Sequence, residues 1–354
     1  MPTPAQIPGA QTVRNEGENA AANASPRRVR LAMVGAGIYP RDAHLPALAR
    51  LQERFELAAI YSRSESSARA LAEHWHTLTA AAAVGRETGE TPPPSTYAPE
   101  LFTDLAALFA RDDIEAVDIA LPIPVQTPVV AQALAAGKHV VSEKPIAPTR
   151  AEAQSLIDLH RRRPERVWMV AENWRYEEAF VRAAEFLRSG AIGRPVVAHW
   201  AQYTPMTPAS KYYVTDWRRE GEFAGGLLLD GGVHYVSALR MLLGEVTNVA
   251  AMVKKASHDL NPVDTLTATL QFASGVQASY LNTFAVGTPF SAALTIVGDA
   301  GSLRVERGKL ELAGPAGREQ SVQEIRCAFY NGVENELAAF GAAVAEGAPH
   351  RNSP

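Results

Sequence analysis

Cysteine is almost missing from this sequence. Cys327 is the only one in 354 residues, so an internal disulfide framework and a thiolate metal cluster are both excluded, and a reducing, cytoplasmic setting is the expectation. Positive charge is not in excess either: 34 Lys and Arg face 38 Asp and Glu, a net charge of −4, which offers little to a phosphate backbone. Nucleic acid is therefore not expected as a partner. Long apolar runs are lacking too; none approaches the roughly 18 residues of a membrane span, and no membrane partner is expected. The nine histidines are scattered, and only His74 and His76 lie close together, on an expected surface helix, so no metal is expected. Residues 1–27, rich in Ala, Pro, Asn and Gln, lack both helix or strand periodicity and the uninterrupted apolar segment of a secretory signal, and they read as a disordered tail.

What is present is an ordinary globular composition, 47% hydrophobic, in a chain long enough for two domains. From Arg28 a pattern repeats. The apolar run "VRLAMVGAGIY" ends in glycines and is followed by "HLPALARL" at helical spacing; "FELAAIYS" precedes "SESSARALAEHW", "AVDIALP" precedes "TPVVAQALAAG", and "KHVVSEKP" precedes "TRAEAQSLIDLHRR". Strands apolar on both faces, alternating with helices, predict a parallel sheet covered on both sides. The Ala-, Gly- and Pro-rich stretch 79–96 breaks the rhythm and reads as a surface insertion. Beyond "VWMVAENWRY", period-2 segments such as "PVVAHWAQY", "TLTATLQFA" and "VQASYLNTF" predict an antiparallel sheet, interrupted by the helix-like "GGVHYVSALRMLLG".

Five places carry residues suited to chemistry or to lining a site. Gly35 and Gly37 follow the first strand, where a glycine turn lets the backbone approach a pyrophosphate and aims helix N–H groups at it; Pro40 stands where a third glycine would. At the tip of the second strand Tyr61, Ser62, Arg63 and Ser64 replace the acidic residue that would bind the ribose of NAD. A hydroxyl beside a guanidinium suits a 2′-phosphate, which favours NADP over NAD, although Arg63 reads equally as a solvated loop residue. "ALPIPVQTP", from Ala120 to Pro128, reads as a rigid loop walling the cofactor crevice, or as a simple strand terminator. Lys144 stands at a strand's carboxyl end, where open α/β sheets bind ligands, and can exchange a proton with a substrate oxygen; the plainer alternative makes Glu143 and Lys144 a surface ion pair. In "GGLLLDGGVHYV", Asp230 and His234 lie four apart across Gly231 and Gly232, a spacing for one helix face with the backbone left open to a ligand. There His is the natural proton acceptor and Asp can orient it, while an N-cap Asp and a core His are the structural alternative.

These pieces in this order resemble the glucose-fructose oxidoreductase, inositol dehydrogenase and MocA (Gfo/Idh/MocA) family of NAD(P)-dependent oxidoreductases, through "GAGIYPRDAHLPAL", "AGKHVVSEKP" and "GGLLLDGGVH". The resemblance spans residues 28–344. It implies an α/β fold with a Rossmann doubly wound parallel sheet over 28–150 and, over 151–354, an α/β domain whose open, mostly antiparallel sheet forms subunit interfaces, hence a homo-oligomer. It implies Lys144, Asp230 and His234 as the catalytic group. It also puts the cofactor, NADP or NAD, against Gly35, Gly37, Ile38, Tyr39, Ser62, Arg63, Leu121, Pro122, Glu143 and Lys144, and the substrate against Asn173, Arg175, Tyr176 and His234. Gln126 stands where the family commonly has a histidine and Ser237 where an aspartate is frequent. "EGAPHRNSP" stops where members usually run on into a final helix that packs back on the first domain.

The implied activity is hydride transfer between nicotinamide and a secondary alcohol or carbonyl of a sugar, polyol or related diol. Two alternatives share the motif set: a catalytically silent, NAD(P)-sensing regulator read by a protein partner, and an NAD-retaining glycosidase or lyase. The retention of Lys144, Asp230 and His234 together ranks the regulator below the enzyme.

Overall fold

A computed structural model describes residues 27–84, 98–213, 215–219, 224–315 and 322–354. The expected tail, Arg27 apart, lies outside them, as do residues 85–96 of the expected insertion, whereas residues 79–84 continue a helix. Six strands, β1 (Val29–Val34), β2 (Phe55–Tyr61), β3 (Glu100–Phe102), β4 (Ala116–Ile119), β5 (His139–Glu143) and β6 (Trp168–Ala171), form a parallel sheet in the order β3-β2-β1-β4-β5-β6. Apart from Arg30 and the buried Asp118, β1 and β4 consist of Val, Ile, Leu, Met and Ala, as burial on two sides demands. Helices α1 (Leu45–Arg50), α2 (Glu65–Val84), α3 (Leu105–Phe109), α4 (Ile123–Ala135) and α5 (Arg150–Arg161) accompany them. The strand order reverses between β1 and β4, which opens a crevice at their carboxyl ends.

The boundary expected at residue 150 is displaced, because the sheet runs on through β6 to Ala171. The stretch read as a rigid loop is also corrected: Pro122 precedes α4, Pro124 sits in its first turn and Pro128 lies inside it. Proline in a first turn loses no helical hydrogen bond, since those N–H groups have no partner there anyway.

A single turn (Asn173–Arg175) leads into α6 (Glu178–Arg188), β7 (Pro195–Tyr203), α7 (Asp216–Arg219), α8 (Gly226–Asp230) and α9 (Gly232–Leu243). Strands β8 (Val246–Lys254), β9 (Thr265–Phe272), β10 (Gln277–Thr283), β11 (Leu294–Gly298), β12 (Gly301–Glu306), β13 (Lys309–Ala313) and β14 (Val322–Arg326) join β7 in an eight-stranded sheet, β14-β13-β12-β11-β7-β10-β9-β8. Only β7 and β10 pair in parallel. Its inner face packs Trp200, Ala278 and Leu303 against Phe180, Ala183, Tyr235 and Leu239 of α6 and α9.

The last helix, α10 (Gly332–Glu346), leaves this domain and packs on the first. Phe340 stacks on Phe55 of β2 with ring centroids 6.5 Å apart, and Gly341 is required because a Cβ there would sit 2.8 Å from the Phe55 ring. The helix that the resemblance led us to expect missing beyond the C-terminal stretch is thus in place just before it.

Glu336 of α10 is fully buried and neither carboxylate oxygen has a partner among the described residues. Burial pushes its pKa well above the carboxylate range; Glu143 adds to this and His44 opposes it. The folded state therefore holds this proton more tightly than the unfolded chain, so the contribution to stability is complete in acid and lost as pH rises through the folded pKa. Glu336→Gln should narrow the loss of Tm between pH 5 and pH 8 in scanning calorimetry; a variant with the same pH slope as wild type would contradict this.

Candidate functional site

The turn after β1 is fixed by a close approach. Gly35 has φ 123°, and a Cβ there would lie 2.3 Å from the carbonyl oxygen of Ala120 at the end of β4. Only glycine brings the two lips of the crevice so close. Gly37 by contrast faces open space and is exposed, leaving room for a ligand's phosphates. Beside it Gly35 N–H donates to Tyr61 O at 2.9 Å, which sets the tip of β2 next to the turn. Ser64 Oγ accepts from Ser67 N at 3.3 Å and so begins α2, while Arg63 is exposed and has no ion-pair partner among the described residues. Gly35, Gly37, Ser62 and Arg63 are therefore together at one edge.

Behind the turn lies a buried clamp. The chain from Pro40 to His44 forms a π-helical turn that carries His44 inward. His44 Nδ1 meets Asp118 Oδ2 of β4 at 2.7 Å, and Nε2 meets Glu143 Oε1 of β5 at 3.0 Å. Burial alone would lower the His44 pKa, yet the two carboxylates outweigh it and raise it well above the ordinary value, so the ring is an imidazolium. Glu143 Oε2 accepts from Lys144 N at 3.3 Å. The Glu143 side chain, expected at the cofactor, is thus turned into the core. Gln126 of α4 donates to Glu143 O at 2.6 Å, and the Lys144–Pro145 peptide bond is cis.

Lys144 then points across to the second domain. Its Nζ donates to Asp230 O at 2.7 Å and to Asp230 Oδ1 at 2.9 Å, and Arg218 Nε donates to Asp230 Oδ2 at 2.8 Å. Burial disfavours charge on both partners, but Asp230 and Glu143 hold the Lys144 pKa above its ordinary value, and Lys144 with Arg218 hold Asp230 far below the carboxylate range. Arg218 also lies over the Trp217 ring at 4.0 Å.

Asp230 does not orient His234, which corrects that expectation. His234 Nδ1 is held instead by Glu172 Oε1 at 2.6 Å, and its ring stacks on Trp174 at 6.2 Å. Nor are Gly231 and Gly232 there to open the backbone to a ligand. They separate α8 from α9 and allow close packing on β10: a Cβ on Gly231 would come within 2.7 Å of Phe284, and one on Gly232 within 3.0 Å of Asn282 Nδ2.

Of the residues expected at the substrate, Asn173 is buried and donates to the Tyr39 hydroxyl at 3.4 Å. Tyr176 is spent on the C-terminal segment, its hydroxyl accepting from Arg351 N at 2.9 Å. Arg175 is half-buried on the same side, with its carbonyl 3.3 Å from Arg351 Nη1. An open cleft of about 230 Å³ lies at the opposite, amino-terminal edge of the parallel sheet, lined by Asp112, Glu115, Lys138, His139 and Arg166, and holds none of the residues named from the sequence. Glu172, Arg218 and His44 were missed. Glu172 ends β6 as Lys144 ends β5, and that position was the available signal.

Residues 29–171 match the family model described as an oxidoreductase family with an NAD-binding Rossmann fold, and residues 180–304 match the GFO/IDH/MocA C-terminal domain. The chain is 33% identical over 338 residues to the dehydrogenase FPY6 of Fusarium mangiferae, covering 92% of this chain and 91% of that one. It is 31% identical to a dTDP-3,4-didehydro-2,6-dideoxy-alpha-D-glucose 3-reductase of Streptomyces violaceoruber, over 84% of this chain and 78% of the other. An oxidoreductase from Thermotoga maritima superposes with a TM-score of 0.78 at 31% identity, covering 91% of this chain and 90% of that one.

The clamp behind the turn should be measurable on its own. Asp118→Ala leaves a buried imidazolium short of one partner and should cost about 3–5 kcal/mol in urea unfolding. Combined with His44→Ala the losses should fall well short of additive; additive losses would mean the two groups do not act as a pair.

Proposed function

We propose that this protein, which belongs to the GFO/IDH/MocA family of oxidoreductases, transfers a hydride between a nicotinamide dinucleotide and a secondary alcohol or carbonyl carbon of a sugar, polyol or related diol. The observation that carries the reading is the Lys144–Asp230 pair at the carboxyl edge of the parallel sheet, beside the cofactor crevice. Gly35, Gly37 and Arg63 fit a dinucleotide: a cradle closed to any Cβ, open space before an exposed glycine, and a guanidinium at the tip of β2. Arg63 beside Ser62 favours NADP over NAD. When bound, the nicotinamide supplies or accepts the hydride.

The chain's own residues handle the proton. Lys144, kept cationic by Asp230 and Glu143, is a poor base, and it serves as a fixed positive charge against the substrate oxygen. Its charge counts most when that oxygen carries developing negative charge. His234 takes the hydroxyl proton during oxidation and returns it during reduction, while Asp230 holds Lys144 in place. The name of the Streptomyces relative, a 3-reductase of a dTDP-linked sugar, supports a sugar-like substrate.

The protein works in the cytoplasm as a homo-oligomer joined by the outer face of the eight-stranded sheet. On that face Val197 and Val297 stand opposite each other, 45% and 40% exposed, and Met252 on edge strand β8 is 77% exposed. An exposed apolar surface of this kind favours contact between copies.

A titration with NADPH and NADH followed by turnover on a panel of sugars, polyols and diols tests the reading. NADPH should bind more tightly, and Arg63→Ala should erase about tenfold of the difference. Lys144→Ala should lower kcat by about 10²–10⁴-fold with NADPH affinity kept; full activity in that variant, or tight binding without turnover on any alcohol, would contradict it.

A further inference from the structure

We infer that Glu172 is the positioning residue for His234, and that the C-terminal segment holds Glu172 in place for that task. The inference rests on the reading of His234 as the base of the reaction.

Three observations bear on it. Glu172 is 4% exposed, and its Oε1 lies 2.6 Å from His234 Nδ1. A carboxylate can only accept, so the hydrogen of a neutral ring sits on Nδ1, and the lone pair is on Nε2, the nitrogen pointing away from Glu172. Trp174, from the same turn, stacks on the ring with planes 27° apart and restricts its rotation. A carboxylate at one nitrogen and an indole against the face leave the imidazole one tautomer and one orientation, as second partners do for metal-bound histidines.

The backbone that carries Glu172 is tied in turn by residues far away in the chain. Asn352, 2% exposed, donates from Nδ2 to Glu172 O at 3.0 Å and accepts from Val170 N through its own carbonyl at 3.0 Å. Arg351 N donates to the Tyr176 hydroxyl at 2.9 Å. Residues 351–352 therefore close over both ends of the 170–176 segment. Residues 351–352 act as a strap behind the base.

The titratable groups around the pair are Arg175 and Glu336 beside Glu172, the latter an acid whose ionisation burial opposes, Arg307 stacked on Trp174 at 4.2 Å, and the Lys144–Asp230 pair preceding His234. Removing the Glu172 charge withdraws the closest support for an imidazolium, so the acid limb of a kcat/KM profile for alcohol oxidation should move to lower pH.

The test uses the full chain with selectively ¹⁵N-labelled histidine. In wild type the His234 resonances should report a proton-bearing Nδ1 and an unprotonated Nε2 above neutral pH. Glu172→Gln should lose that signature, lower kcat about 10–100-fold, shift the acid limb as stated, and leave NADPH affinity and KM nearly unchanged. Glu172→Asp should keep the pH profile, and Asn352→Ala should reproduce part of the kcat loss. Wild-type His234 carrying its proton on Nε2 would overturn the inference, and this reading stands even if Glu172→Gln fails to fold. So would a Glu172→Gln enzyme with unchanged kcat and pH profile. If instead the His234 signature responds to Glu172→Gln while wild type turns over no alcohol, the pairing holds and the oxidoreductase reading fails.

Discussion

Two opposite charges with little exposure, Lys144 at the end of β5 and Asp230 at the junction of α8 and α9, tie the two domains together, and most of the surrounding structure serves to make that burial tolerable. Taking both charges out of water costs several kcal/mol for each unless every remaining donor and acceptor finds a partner. Arg218 meets the second Asp230 oxygen, and the Asp230 carbonyl accepts from the same Lys144 ammonium. The backbone of Lys144 is steadied from behind by Glu143, Glu143 by His44, and His44 by Asp118 on the neighbouring strand. That chain of contacts runs from β4 and β5 to the second domain without leaving the carboxyl edge of the sheet. A site assembled this way has its charges fixed before any substrate arrives, the arrangement that electrostatic stabilisation of a developing oxyanion requires.

The same edge concentrates acids. Asp118, Glu143, Glu172 and Glu336 come from β4, β5, the end of β6 and α10, all buried, with two imidazole rings among them. Two of the four face a histidine on the cofactor side and one faces His234. Glu336 has no partner among the described residues, and burial raises its pKa well above the ordinary carboxylate value. Helix α10 thereby brings among them an acid whose ionisation is opposed by burial first and by Glu143 next. The C-terminal region is in this sense part of the site's scaffold, through Glu336 and through Asn352.

Much of this was legible in the sequence. The parallel strands are continuous apolar runs, and the antiparallel ones alternate, so both sheets follow from periodicity; β7 coincides with "PVVAHWAQY" residue for residue. Strand β3 escaped because three residues carry no period, and β14 because its exposed "VQEIR" has no buried face to betray it. Lys144 and Gly35 could be singled out because strand ends and glycine turns are local signals. His234 was singled out without its hydrogen-bond partner, since Glu172 lies 62 positions earlier and only tertiary folding brings the two together. The roles of Gly231 and Gly232 were misread for the same reason: the Phe284 ring and the Asn282 amide that forbid a side chain there lie just past the end of β10 and on it, some fifty residues away.

The proposed hydride transfer between nicotinamide and a substrate carbon can be followed atom by atom. The most direct measurement is to supply NADPH deuterated at the nicotinamide C4 with a panel of keto-sugars and to read the product by mass spectrometry and NMR. Deuterium is expected on a carbinol carbon of the reduced product, with NADP⁺ formed in equal amount; deuterium retained by a bound cofactor while a substrate is cleaved or released unchanged would contradict hydride transfer.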